Sequence, residues 1–173
     1  MSYGRLVLMR HAKSAYPVGV PDHDRPLSER GFRDVRAARE WFAEDGRDFL
    51  GDEPAVLVSS ALRTQQSWEG IASALPSADV HQSPGIYEAA VSTLIDLVSP
   101  TVLRGRHTLV IGHNPGLEGL GDFLADPVES VQPWREREKY PTAGILVLEI
   151  KNDSWANGSA DAIVFVVPRG RLS

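Results

Sequence analysis

Cysteine is absent from all 173 residues of the sequence. Without it the protein has no thiolate nucleophile, no disulfide framework and no zinc site built on sulfur, so any metal would need histidine and carboxylate ligands. Long apolar runs are absent too, since none approaches the ~18 residues of a membrane-spanning helix, and we expect no membrane partner. The apolar segment 1–9 is too short for a signal peptide, and we therefore expect a cytoplasmic protein.

An excess of positive charge is also lacking. Lysine and arginine number 18 against 23 aspartate and glutamate, which gives a formal net charge of -5 and a pI of about 5.5. This balance argues against a nucleic-acid partner, because proteins that bind nucleic acids carry a broad basic surface. It leaves room for a small local anion site, which must be sought residue by residue.

Three glycine-rich motifs are missing as well. The sequence contains neither Gly-x-Gly-x-x-Gly nor Gly-x-x-x-x-Gly-Lys, so dinucleotide and nucleoside triphosphate chemistry lack support. No Gly-x-Ser-x-Gly surrounds Ser59 or Ser60, and helix capping explains these two serines adequately. Nothing in the sequence calls for a metal or another cofactor, and we expect neither.

The size and composition of the chain indicate one domain, residues 1–173. Length divided by about 150 residues per domain predicts a single unit, and area scaling predicts that roughly 70% of the unfolded chain's surface becomes buried. With 42% hydrophobic residues the chain can build a sizeable core without cross-links. We expect a monomer or a weak homodimer.

Near-continuous apolar runs predict strands that are buried on both faces. They lie at residues 6–9, 55–58, 108–111, 144–150 and 162–167, and a weaker strand is predicted near Val80. Segments with helical spacing separate most of them, which predicts an α/β fold: a three-layer α/β/α sandwich with a mostly parallel sheet. The linker 151–161 has no helical period, so the last two strands fit an antiparallel hairpin that would make the sheet mixed.

Apolar spacing and end signals predict four helices. They cover residues 28–47, 61–75, 91–98 and the segment from Asn114 onwards. Ser28 is the predicted N-cap of the first helix, whose apolar face includes Phe32, and Leu62 is predicted to face inward on the second. The third should end before Pro100. The fourth should have Asn114 as N-cap and Pro115 as its first residue. The irregular stretch 125–142 is predicted to be a charged surface loop or a lid, and a solvated loop is the favoured alternative.

Basic side chains follow three of the predicted strands, and ligands in an open α/β sheet bind at the carboxyl ends of its strands. These side chains are Arg10, His11, Arg63 and His113. An arginine fork pairs two oxygens of a phosphate at once, and the helix that starts near Asn114 adds free N–H groups. The pattern predicts a site for a phosphoryl group. The remaining histidines are not grouped with other basic residues at predicted strand ends, and they are predicted to be surface or loop residues: His23, His81 and His107.

The same residues carry a resemblance to a known family. Leu-Met-Arg-His-Ala-Lys-Ser at 8–14, Ser-Ser-Ala-Leu-Arg-Thr at 59–64 and Gly-His-Asn-Pro at 112–115 resemble the motifs of the histidine phosphatase superfamily, the phosphoglycerate-mutase-like group. Asp-Arg-Pro-Leu-Ser-Glu-Arg-Gly at 24–31 and the short length resemble its small branch, the SixA-type phosphohistidine phosphatases.

The resemblance implies a phosphoglycerate-mutase-like fold and a phosphatase in which His11 is the catalytic nucleophile. His11 would become phosphorylated before water releases phosphate. The phosphate-binding positions of the family are matched by Arg10, Arg63 and His113, with Asn114 beside them, and the resemblance places His113 among the catalytic residues as well. Glu88, in Gly-Ile-Tyr-Glu-Ala, stands where the family often has an acidic proton donor.

The class of substrate stays open between two alternatives. The short interval between Arg63 and Glu88 leaves no room for a large insertion, so we expect an open crevice. An open crevice fits a phosphohistidine on a protein surface, which is the preferred substrate, and also permits a small phosphorylated metabolite such as a sugar phosphate or nucleotide. A third alternative is a non-catalytic phosphate-binding module, but binding alone would not require a histidine aimed at phosphorus.

Overall fold

A single six-stranded sheet organises the chain in a computed structural model, which describes residues 2–171. The strands are β1 (Arg5–Arg10), β2 (Ala55–Ser59), β3 (Asp79–Ser83), β4 (Thr108–Gly112), β5 (Ile145–Ile150) and β6 (Ala160–Val166). Their spatial order is β3-β2-β4-β1-β5-β6. The first four strands pair in parallel, as β1 with β4, β4 with β2 and β2 with β3, whereas β5 is antiparallel to both β1 and β6. The predicted mixed sheet with a terminal hairpin is confirmed.

The helices are α1 (Glu29–Trp41), α2 (Arg47–Leu50), α3 (Leu62–Ile71), α4 (Val91–Leu103), α5 (Gly116–Leu124) and α6 (Gln132–Arg135). Side chains alternate across a strand, so β1 sends Leu6 and Leu8 into one core cluster and Val7 and Met9 into the other. Helices cover both faces, which confirms the three-layer α/β fold. Among residues 2–171, every helix falls short of the length and apolar character needed to cross a membrane.

The first predicted helix begins as expected but differs in length and in its buried face. Ser28 is the N-cap and accepts a hydrogen bond from the N–H of Gly31 at 3.1 Å. The helical path then changes at a π-helical turn, Phe42–Gly46, before α2. Phe32 is 42% exposed, so its predicted place on the buried face is wrong. The face packed on the sheet is carried by Val35 and its neighbours along the helix instead.

The start of α3 also departs from the prediction. Ala61 is the N-cap and no side chain caps this helix, so the capping role predicted for Ser59 and Ser60 is wrong. Leu62 is 38% exposed because the first turn of α3 directs Arg63, rather than Leu62, into the protein. Both serines contact histidine side chains, as described below.

Two further helix boundaries differ from those predicted. α4 continues through Pro100 to Leu103, because Val98 and Val102 lie on either side of the proline and both are fully buried. That packing offsets the hydrogen bond that proline cannot donate. α5 begins at Gly116 with Pro115 as N-cap, so Asn114 lies outside the helix and does not cap it.

The stretch 125–142 is more than a surface loop. Its charged residues are mostly exposed, as predicted, but it contains α6 and sends Trp134 and Tyr140 into the core. The Tyr140 hydroxyl donates a hydrogen bond to the carbonyl of Leu8 at 2.6 Å. This anchor holds the backbone of Tyr140 beside the end of β1.

Candidate active site

The carboxyl ends of β1, β4 and β2 lie side by side because these strands are parallel neighbours in the sheet. His11 follows β1, His113 follows β4, and Arg63 lies in the first turn of α3 after β2. The Nε of Arg63 is 3.3 Å from Nε2 of His11, and its Nη2 is 3.4 Å from Nδ1 of His113. The structure therefore brings together three residues that the sequence predicts at one site.

His11 presents an unprotonated ring nitrogen to the site. Its Nδ1 lies 2.7 Å from the carbonyl oxygen of Ala12. A carbonyl only accepts hydrogen bonds, so Nδ1 carries the proton and Nε2 keeps its lone pair. The residue is 7% exposed, and this burial lowers the pKa of His11 to about 3, helped by the charges of His113, Arg63 and Arg10. The imidazole is therefore neutral at physiological pH, with Nε2 facing Arg63.

Arg63 determines the tautomer of His113, and Ser59 accepts the ring proton. A guanidinium N–H can only donate, so Nδ1 of His113 accepts from Arg63, and Nε2 carries the proton. That proton is donated to Oγ of Ser59 at 2.7 Å. Burial and, next, the charge of Arg63 lower the pKa of His113 to about 4. Ser59 thus orients a histidine of the site instead of capping a helix.

Arg63 is 5% exposed and its whole guanidinium is engaged. Besides its contacts with the two histidines, Nη1 donates to the backbone carbonyl of Asp22 at 2.7 Å and Nη2 donates to the Asp22 carboxylate at 3.1 Å. Asp22 belongs to a 3-10 turn, Asp22–Asp24, in the connection between β1 and α1. An anion that binds Arg63 through both nitrogens must share them with Asp22.

The Asp22 carboxylate has further donors around it. It accepts from the hydroxyl of Tyr87 at 2.7 Å and from Nε of Arg25 at 3.0 Å. The Tyr87 hydrogen bond is the main cause that lowers the pKa of Asp22 well below its usual range, followed by the hydrogen bond from Arg25. Asp22 therefore stays ionised at any physiological pH, although no motif in the sequence points to this residue.

The predicted isolation of His23 is wrong. Its Nε2 is 2.9 Å from Oγ of Ser60, and its ring packs edge-on against Tyr87 with the centroids 4.9 Å apart. Tyr87 packs in the same way against His113 at 5.5 Å. The 3-10 turn that carries Asp22 thus brings His23 to the mouth of the site. The other two histidines lie away from it: His81 is exposed beside Asp79, and His107 accepts from the backbone N–H of Arg5.

Arg10 and Asn114 meet at the backbone of Tyr140. The Tyr140 carbonyl accepts from Nη1 of Arg10 at 2.9 Å and from the amide nitrogen of Asn114 at 3.1 Å. Nε of Arg10 and Oδ1 of Asn114 are buried without a hydrogen-bond partner among residues 2–171. An unsatisfied buried group costs about 1–3 kcal/mol, which an added polar partner would offset. Burial also lowers the pKa of Arg10.

A cleft of about 640 Å³ opens beside these residues. It is lined by Asp22, Arg63, Tyr87, Glu88, Ala89, Ala90, His113, Asn114, Pro115 and Gly116. Glu88 is exposed on its rim, and its φ of 55° places it in the left-handed region that few non-glycine residues adopt. Within residues 2–171, no three histidine or carboxylate side chains are grouped as a metal site would require.

Comparison with known proteins identifies the family. The sequence model of the histidine phosphatase superfamily (branch 1) matches residues 6–110. An uncharacterized protein of Mycobacterium tuberculosis is 37% identical over 166 residues, which cover 93% of this chain and 100% of that protein. An uncharacterized protein of Mycobacterium leprae is 31% identical over 171 residues, again 93% of this chain and all of the relative.

Solved structures agree with this family. A candidate phosphohistidine phosphatase SixA from Nakamurella multipartitia matches with a TM-score of 0.79 and 26% identity, over 97% of this chain and 98% of that one. A candidate SixA from Agrobacterium tumefaciens matches with a TM-score of 0.75 and 25% identity, over 96% and 99%. Fold, motifs and relatives together confirm the expected enzyme class. The chain belongs to the histidine phosphatase superfamily, and within it to the SixA-type phosphatases.

Proposed function

We propose that this phosphatase hydrolyses phosphohistidine on a protein, through a covalent intermediate on Nε2 of His11. The observation that carries the proposal is the state of His11: a buried, neutral ring whose Nδ1–H is fixed by the Ala12 carbonyl and whose free Nε2 lies 3.3 Å from Nε of Arg63. A nucleophile needs such a lone pair, held in place beside the group that binds the electrophile.

The reaction has two transfers. In the first, the Nε2 lone pair of His11 attacks phosphorus as the bond between phosphorus and the substrate's imidazole breaks. The bonding pair leaves with that imidazole, which departs neutral when its other nitrogen is protonated. In the second, water attacks phosphorus, the bond from phosphorus to His11 breaks, and phosphate and a proton are released. His11 then returns to its starting state.

Basic groups at the strand ends stabilise the transferring phosphoryl group. Its transition state is loose, so positioning and charge on the three equatorial oxygens dominate catalysis. Nε of Arg10, which lacks a hydrogen-bond partner among residues 2–171, supplies one donor. Arg63 supplies others by sharing Nη2 between phosphate and Asp22. Negative charge beside His113 raises the pKa of that ring, and once protonated at Nδ1 it donates to the same group.

The leaving group favours phosphohistidine over a phosphate ester. An alkoxide is a poor leaving group, for which a general acid contributes roughly 10²–10⁴-fold. We assign Glu88 as the proton donor for such a substrate: it lines the cleft, but its side chain is exposed to water. An imidazole leaving group needs this help less. The two candidate SixA structures at 25–26% identity support the same substrate class.

The test compares substrates of the two classes under one set of conditions. A protein chemically phosphorylated on histidine is compared with a sugar phosphate, a nucleoside monophosphate and an aryl phosphate by kcat/KM, with His11→Ala as the inactive control. The proposal expects the phosphoprotein to be the best substrate and Glu88→Gln to slow only the esters. A free metabolite turned over more efficiently than the phosphoprotein would refute it and favour a small-molecule phosphatase.

A further inference from the structure

A second cleft, of about 600 Å³, lies between α1 and the C-terminal residues that the structure describes. It is lined by Arg33, Arg36, Ala37, Glu40, Arg169, Gly170 and Arg171. It shares no lining residue with the cleft of about 640 Å³ at the candidate active site, which we call the catalytic cleft. The mechanism above does not use it. Four of the seven residues are arginines.

The charge of this arginine cleft is opposite to that of the protein. Four arginines against Glu40 leave a local formal charge of +3 in a chain of -5. Asp34 lies beneath, but it is 1% exposed and already paired with two cations, Arg169 at 3.3 Å and Arg30 at 3.5 Å. The side chains of Arg33 and Arg36 form no hydrogen bond or ion pair with other residues of the described range 2–171. Their donors are therefore available to a ligand.

The wall of the arginine cleft is fixed before any ligand arrives. The Asp34 carboxylate accepts from the N–H of Gly170 at 3.1 Å, and Nη1 of Arg169 donates to the carbonyl of Thr142 at 2.9 Å. A Cβ on Gly170 would lie 2.3 Å from the carbonyl oxygen of Arg33, so only glycine allows the C-terminal segment this close to α1. Such preorganisation reduces the entropy lost on binding.

We propose that the arginine cleft binds a small anion with adjacent phosphoryl groups, such as a diphosphate or triphosphate. Arg33 and Arg36 are three residues apart on one helix, which sets their Cβ atoms roughly 5–6 Å apart on the same face. Arg171 adds a third guanidinium group to the lining of the same cleft. Linked phosphates offer a separate set of oxygens to each of several guanidinium groups, whereas a single phosphate has only one set to share.

The shape of the arginine cleft favours a small ligand over an acidic protein segment. Its volume falls in the roughly 300–1,000 Å³ range of small-molecule sites. None of the seven lining residues is aromatic, so recognition rests on the phosphates and not on a stacked base. Planar guanidinium groups match phosphate oxygens in pairs, which gives them an advantage over lysine here.

Calorimetric titration with inorganic triphosphate at low ionic strength tests the proposal. Every protein in the series carries Arg63→Ala, which weakens phosphate binding in the catalytic cleft. Arg33→Gln/Arg36→Gln should weaken triphosphate binding by at least about tenfold, because two charge-assisted contacts are lost. Arg39→Gln is the matched control: it is exposed on the same helix but does not line the cleft, and it should change the affinity less than about twofold.

Three results would overturn the inference. Triphosphate binding that survives the double substitution places the anion elsewhere. Equal losses of triphosphate affinity in the double variant and in Arg39→Gln would mean that the anion is attracted by diffuse surface charge and not by a defined site. Tighter binding of oligoglutamate than of triphosphate assigns the cleft to an acidic protein partner. If circular dichroism shows that the double variant is unfolded, Arg171→Gln takes its place, and triphosphate should shift the amide resonance of Gly170. Phosphatase activity of Arg33→Gln/Arg36→Gln in the otherwise native chain should equal that of wild type, which separates this site from catalysis.

Discussion

Replacing Asp22 by Asn should tighten the binding of inorganic phosphate to the catalytic cleft. Asp22 holds Nη2 of Arg63 at 3.1 Å and so competes with any anion for the same donor. The contact is half exposed, with 53% of the Asp22 side chain accessible, and exposed ion pairs contribute about 0–1 kcal/mol. Loss of the competing charge should therefore lower the inhibition constant of phosphate by roughly two- to fivefold.

The position of Arg63 should survive this substitution. Its Nη1 is held by the backbone carbonyl of Asp22 at 2.7 Å, a contact that Asn leaves intact, and the side chain is 5% exposed. Because the pKa of Asp22 lies far below its usual range, wild-type competition is constant between about pH 5 and pH 8, and the effect of Asp22→Asn should be constant as well.

Competition kinetics with inorganic phosphate measure the effect, with Asp24→Asn as the control. Asp24 is exposed in the same 3-10 turn and makes no contact with Arg63. The control should match wild type. Phosphate binding that is tenfold weaker in Asp22→Asn, in a protein that melts at the wild-type temperature, would refute the reasoning. It would show that the carboxylate positions Arg63 and does not compete for it.

Three further predictions concern the same cluster. Arg63→Ala should reduce kcat/KM by about 30- to 10³-fold, since one charged donor to the transition state contributes roughly 2–4 kcal/mol, and a loss below about tenfold in the folded variant would contradict its role. Ser59→Ala leaves the Nε2–H of the half-buried His113 without its acceptor, so chemical denaturation should show a loss of about 0.5–1.5 kcal/mol in unfolding free energy; Ser60→Ala, whose partner His23 has 42% of its side chain accessible, should show less. Stability should fall as pH falls below about 6.5, because the unfolded histidines then bind protons while folded His11 and His113, with pKa values near 3 and 4, do not. Each histidine lowers the unfolding free energy by about 1.4 kcal/mol per pH unit until its folded pKa is reached. Urea titrations at pH 6.5 and pH 5 give the change in unfolding free energy with pH, which should be smaller by about that amount per pH unit in His113→Asn than in wild type.

The sequence predicts those site residues that lie next to strands recognisable from the neighbouring sequence. Arg10, His11 and His113 follow strands that are recognisable as apolar runs, and parallel order alone brings those strand ends together. The roles of these residues, including Arg63, came from the family resemblance, and their convergence here agrees with it.

The rest of the site depends on contacts that no local pattern records. Asp22 and His23 lie in a turn whose residue types are also typical of a solvated loop. Only the tertiary structure places that turn against Arg63 and Tyr87. The carbonyl of Tyr140 that meets Arg10 comes from a residue 130 positions away. The type of a side chain does not indicate which distant backbone carbonyl will accept its hydrogen bond.

Helix ends show the same limit. Pro100 reads as a stop signal because it cannot donate a backbone hydrogen bond, but buried residues on both sides hold α4 together across it. Ser59 is predicted to be a cap because serine is a common N-cap, yet its hydroxyl accepts from the half-buried ring of His113 instead.

A trapped phosphoenzyme would show whether His11 is the nucleophile. The enzyme is mixed with a histidine-phosphorylated protein, quenched with alkali because nitrogen-linked phosphate is acid-labile, and its mass is measured before and after proteolysis. We expect a transient phosphate adduct on His11 that forms and decays at rates compatible with turnover and is absent in His11→Ala. Turnover without an adduct, or an adduct on any other residue, would contradict it.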